Sequence, residues 1–115
     1  MPTETTSPRQ LLRRDERRAQ ILRAAAQAFS RDGYVATSVD EVAKQAGITK
    51  LIVYRHFDSK ADLYRAILDA VALQLSDEWQ ANVERSGHPG HGAGIRTLLT
   101  VAREQPDGFR LLDAV

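Results

Sequence analysis

The stretch Ser38–Lys60 reads SVDEVAKQAGITKLIVYRHFDSK, and its punctuation decides the fold. Ser38 with Glu41 three residues later is a capping-box signature that opens a helix. Val39, Val42, Ala43 and Ala46 give that helix one apolar face, and Gly47 ends it. Ile48 follows, and Thr49 caps a third helix of about eight residues that ends near Phe57. Two short helices around a tight glycine turn have the spacing of a helix-turn-helix.

Upstream, residues from about Arg13 to Arg31 contain no Pro or Gly. Ile21, Leu22, Ala25, Ala28 and Phe29 recur there as the stripe of an amphipathic helix, with Gly33 at its C-terminal end. Residues 1–12 form a flexible arm in this reading, because Pro2, Thr3, Thr5, Thr6, Ser7 and Pro8 offer nothing to pack. Arg9, Arg13 and Arg14 read equally as a minor-groove arm or as a solvated basic tail. Arg17 and Arg18 follow Asp15 and Glu16 and read as an exposed helix start.

Downstream, Ser59 and Asp62 start a long helix that runs from Lys60 to about Arg85. Leu63, Ile67, Val71, Leu75 and Trp79 step by four along it, and Tyr64, Leu68 and Ala72 form a second stripe. A helix with two apolar stripes packs on two sides, which makes it a connector. Ser86–Gly92 is a loop by composition. Ile95, Leu98, Leu99 and Ala102 mark the apolar face of a fifth helix. Pro106 starts a sixth, with Phe109, Leu112 and Val115 on one side. No strand pattern appears, so the fold class is all-α. The expected division is arm 1–12, helix-turn-helix domain 13–59, and connector plus incomplete effector or dimerisation domain 60–115. The helical pattern still runs at Val115, so the chain reads as a fragment.

Composition excludes several classes. With 43% hydrophobic and 27% charged residues the chain is globular. Its zero cysteines rule out disulfides and thiolate metal sites and fit a reducing cytoplasm. No apolar run approaches the roughly 20 residues needed to span a bilayer. His88 and His91 have no neighbouring carboxylate to complete a metal site, so neither a metal nor a cofactor is expected. No nucleophile elbow or phosphate-cradling glycine loop is present, which argues against an enzyme. The formal charge of +1 hides an asymmetry: residues 1–60 carry eleven Lys/Arg against seven Asp/Glu, and residues 61–115 carry five against eight. A basic first half suits an anionic partner.

On a helical wheel at 100° per residue, Val53 and Phe57 of the third helix face the core. Leu51, Ile52 and Arg55 point away, with Lys50 and Tyr54 at the boundary. First-turn residues of a recognition helix meet base edges, and flanking residues meet phosphates. Lys50, Leu51 and Ile52 are therefore base-contact candidates, and Tyr54 and His56 phosphate candidates. Lys60, at the start of the long helix, is a further phosphate candidate. Thr49 and Arg55 complete the DNA-facing set. Trp79 reads either as a pocket wall with Leu75 and Leu99 or as an ordinary core or interface residue.

The pattern resembles a known family. Ile21–Leu22, Ala25, Phe29, Gly33–Tyr34, Thr37-Ser38-Val39, Val42–Ala43, Ala46–Gly47, Tyr54, His56–Phe57, Ser59–Lys60 and Leu63 look like the DNA-binding domain of the tetracycline-repressor (TetR-type) family. The likeness covers roughly residues 17–68. It implies a bacterial transcription regulator, mostly repressors in this family, that binds a palindromic operator as a homodimer. It implies a small-molecule effector site and a dimer interface in the C-terminal helices. By position it implies phosphate contacts from Ser38, Tyr54, His56 and Lys60. Leu51 and Ile52 depart from the family's usual Gly and Thr or Ser; they offer apolar surface to thymine methyls rather than hydrogen bonds. That exposed aliphatic pair also motivates an alternative, a protein-interaction module that kept the fold without DNA binding.

Overall fold

The structure, a computed structural model, describes residues 8–86 and 91–113. Six helices follow one another: α1 Pro8–Asp32, α2 Val39–Ala46, α3 Lys50–His56, α4 Lys60–Ser86, α5 His91–Glu104 and α6 Pro106–Asp113. The first helix begins at Pro8 and not at Arg13, so residues 8–12 of the expected arm are helical. Proline suits a first helical turn, since its missing N–H has no partner there in any case. The remaining arm residues, 1–7, and also His88 and Val115, lie outside the described residues, as do the side chains of Arg9 and His91.

Helix α1 buries Ile21, Ala24, Ala25, Ala28 and Phe29, the face that its periodicity marks. Gly33 closes it at φ +87°, donating its N–H to the Phe29 carbonyl at 2.8 Å. A left-handed residue at this point costs glycine nothing. Buried Thr37 then ties the turn down: its hydroxyl donates to the Gly33 carbonyl at 2.7 Å.

Helix α2 opens with the expected capping box. The Ser38 hydroxyl accepts from the Glu41 N–H at 3.1 Å, and the Ser38 N–H donates to the Glu41 carboxylate at 3.2 Å. Gly47 ends it at φ +73°, and the Ile48 N–H returns to the Ala43 carbonyl at 3.0 Å. Thr49 caps α3 by accepting from the Ile52 N–H at 3.3 Å. Val42, Val53, Phe57, Leu63 and Ile67 join the α1 face in one core. Phe29, Tyr34 and Tyr64 pack as an aromatic triangle, with ring centroids 5.1–5.6 Å apart.

Helix α4 connects the two halves of the chain, packing on α1 and also on α5 and α6. Its stripe behaves differently from the four-residue pattern. Leu63, Ile67 and Val71 are buried, Leu75 is half-buried, and Trp79 is exposed. Each four-residue step rotates the stripe by about 40°, so it leaves the core within two further steps. The buried residue farther along is Asn82, whose amide donates to the Thr97 hydroxyl at 2.9 Å. Thr97 in turn donates to the Ala93 carbonyl at 2.8 Å.

Helix α5 turns the opposite face inward from the one expected. Ala93, Thr97 and Val101 are buried, whereas Ile95, Leu98 and Leu99 are 62%, 49% and 58% exposed. Small residues at 93 and 97 allow α5 to approach α4 closely, and the Asn82–Thr97 bond satisfies the polar groups enclosed there. Trp79 accordingly lies beside Gly94 of α5 and, 42% exposed, is not enclosed in the core. In α6, Leu111 is the buried anchor, and Gly108 sits so close to Val71 that a Cβ would clash at 2.7 Å. Phe109 and Leu112 are half-buried beside it.

Candidate nucleic-acid interface

Helix α3 is seven residues long and therefore too short to hold its shape alone. Thr49 fixes its start, the Gly47 turn fixes its angle to α2, and buried Val53 and Phe57 fix its rotation. The remaining positions are then presented in a defined order around the helix. Leu51, 64% exposed, and exposed Arg55 form the outward ridge. Lys50 and Tyr54 lie on one flank, and Ile52 and His56 on the other.

The first flank faces a concavity of about 380 Å³ that gathers Ser38, Lys50, Tyr54 and Lys60 from three helices. The Lys50 ammonium lies 3.3 Å from the Asp40 carboxylate in an exposed pair. Such a pair holds weakly and releases the lysine readily to another anion. The Lys60 ammonium donates to the Tyr34 carbonyl at 2.8 Å and lies 4.3 Å from the centroid of the Tyr34 ring. The Tyr54 ring edges the same concavity and is exposed. One polar wall thus contains a serine hydroxyl, a phenol and two ammonium groups, which is the donor set for phosphate oxygens.

The other flank faces α1. Arg13, Arg14 and Arg17 of α1 meet Ile52, Arg55 and His56 of α3 around a second concavity of about 420 Å³. Burial, reinforced by the charges of Arg14, Arg17 and Arg18, holds the His56 imidazole below its ordinary pKa. Arg18 points away from that concavity and stacks on the Phe57 ring, 4.8 Å from its centroid.

The nine candidates therefore do not form one patch. Ser38, Lys50, Tyr54 and Lys60 come together; Ile52, Arg55 and His56 come together elsewhere; Leu51 stands between, and Ser38 and Thr49 each also cap a helix. Two partners escaped the sequence. Nothing local to Tyr34 announces that its carbonyl and ring seat Lys60, and nothing pairs Asp40 with Lys50 except the angle between α2 and α3. Among the described residues, no helix is long and apolar enough to cross a membrane.

Residues 21–67 match the family model described as bacterial regulatory proteins, tetR family. Over 57 residues the chain is 51% identical to an HTH-type transcriptional activator, FasR, of Mycolicibacterium smegmatis, covering 50% of this chain and 26% of that one. It is 32% identical to an HTH-type transcriptional repressor of Mycobacterium tuberculosis, covering 89% of this chain and 60% of that one. Among solved structures, a gamma-butyrolactone receptor described as ArpA-like superposes with a TM-score of 0.74 at 35% identity, covering 86% of this chain and 52% of that one. The chain thus spans 60% or less of each of these relatives.

Proposed function

Because the chain belongs to the tetR family of bacterial regulatory proteins, we propose that it reads a palindromic DNA operator as a homodimer and regulates transcription there in the bacterial cytoplasm. The observation that carries this reading is the presentation of α3. A short helix is locked by its cap, its glycine turn and two buried residues, and its solvent face is left free beside a wall of phosphate donors. Lys50, Leu51 and Ile52 are the base-reading residues, with Lys50 suited to guanine and the aliphatic pair to thymine methyls. Ser38, Thr49, Tyr54, Arg55, His56 and Lys60 surround them and register the helix on the backbone.

Two copies of α3 about 34 Å apart fit successive major grooves, and the bound dimer represses by excluding polymerase. A small molecule bound beyond the DNA-binding domain favours a conformer with the wrong spacing and so releases the operator. The likeness to a gamma-butyrolactone receptor supports a ligand-responsive regulator of this kind.

The test is selection of sites from a random duplex pool, followed by salt titration on the winners. A palindromic consensus with steep salt dependence supports the reading. A folded protein that enriches no DNA at low salt overturns it and favours the protein-interaction module. In that case Leu51→Ala with Ile52→Ala abolishes partner binding and Lys60→Ala does nothing.

A further inference from the structure

The second concavity, between α1 and α3, is lined by four guanidinium groups, one imidazole and Ile52, with no carboxylate among its lining residues. Among the described residues, Arg13, Arg14 and Arg55 form no ion pair; the three pairs present are Arg31–Asp32, Lys50–Asp40 and Arg65–Asp62. Cations brought together from two helices without a counter-charge repel one another, and an anion placed between them relieves that cost. Asp58, Asp62 and Asp69 line a neighbouring recess with Arg18 and Arg65, which His56 borders from its other side.

The geometry says which anion. Lys50 and Tyr54 sit on one side of the Leu51 ridge, and Ile52 and His56 about 120–160° away on the other. A helix lying in a major groove has a phosphate strand along each flank, because both strands wall the groove. The Ser38, Tyr54 and Lys60 wall lies on the first flank, and the α1 arginines line the second. Guanidinium forks match phosphate oxygens in geometry and stay charged at any relevant pH.

We infer that the arginine-lined cleft between α1 and α3 is a second phosphate seat, gripping the DNA strand opposite to the one held by Ser38, Tyr54 and Lys60. This rests on the DNA-binding reading and adds to it Arg13, Arg14 and Arg17. Those side chains belong to the helical part of α1 and act across a helix–helix cleft.

The test compares the full chain with Arg13→Gln/Arg14→Gln, with Lys60→Ala and with the control Arg103→Gln on α5, all checked for helix content by circular dichroism. Binding to a duplex is followed across roughly 50–200 mM salt. The double variant is expected to lower the slope of log K against log salt by about 1.8, with Arg103→Gln unchanged. Phosphate-ethylation interference should then lose contacts on one strand in the double variant and on the other in Lys60→Ala. An unchanged slope in the double variant, with a lowered one in Lys60→Ala, overturns the second seat and leaves the DNA reading standing. No binding by the unaltered chain overturns both. Should the double variant lose helix, Arg55→Gln on α3 probes the same cleft, with an expected slope loss of about 0.9.

Discussion

The Lys60 ammonium rests over the Tyr34 ring, 4.3 Å from its centroid, and donates to the carbonyl of the same residue at 2.8 Å. The turn after α1 is thereby tied to the first residue of α4. The proposed phosphate ligand is already oriented before DNA arrives, so less side-chain freedom is lost on binding.

That relationship separates two effects of substitution. Lys60→Ala should lower the salt slope by about 0.9 through loss of one phosphate contact. It should also cost about 0.5–1 kcal/mol of stability through the lost ring contact. Tyr34→Leu should lower stability and leave the slope unchanged. Salt titration beside urea unfolding distinguishes them, and equal slopes for Lys60→Ala and the parent would remove Lys60 from the interface.

Gly47 holds φ +73°, and a Cβ built there meets nothing within 4 Å. The cost of Gly47→Ala is therefore conformational and not steric, about 1–2 kcal/mol. Gly47→Asn should cost less, because asparagine tolerates the left-handed region better. Urea midpoints of the two variants check the order.

Phe29 is fully enclosed and touches both Tyr34 and Tyr64. Phe29→Ala should destabilise by about 3–5 kcal/mol, a large part of what a domain of this size possesses. A loss under 1 kcal/mol in chemical denaturation would mean that the aromatic triangle does not hold α1 to α4.

His56 supplies a pH dependence. Its native pKa lies below the ordinary 6.5, through burial first and then the charges of Arg14, Arg17 and Arg18. The unfolded chain therefore binds more protons at this site, and stability falls on acidification. The contribution is complete above 6.5 and is lost as pH falls through the lower native value. Between pH 7.5 and pH 5 the parent's urea midpoint should drop further than that of His56→Gln. Equal drops would show that folding does not lower the pKa of the imidazole.

Local signals were legible in the sequence. The Ser38–Glu41 box, Gly47, Thr49 and the Ile21–Phe29 face each depend on residues within a turn or two, and each stands in the structure as expected. What escaped depends on distant partners. The inward face of α5 is set by Asn82 on α4, a polar residue that accepts Thr97 as its neighbour, and the more apolar Ile95–Leu99 side is left outward. The start of α1 escaped because threonine, serine and proline signal an arm, yet proline also opens helices. The candidate site was legible as a set of residues but not as two separate concavities, since that division depends on where α1 crosses α3.

Helix α3 gives the core Val53, and Phe57 follows at its C-terminal cap. Its outward ridge and first-turn lysine carry none of the fold's enclosed packing. Positions 50, 51 and 55 are thereby freed from the demands of folding and are open to change under other pressures. In the proposed DNA-reading role, a lineage can rewrite what this helix reads, one exposed side chain at a time, while the scaffold that aims it stays the same.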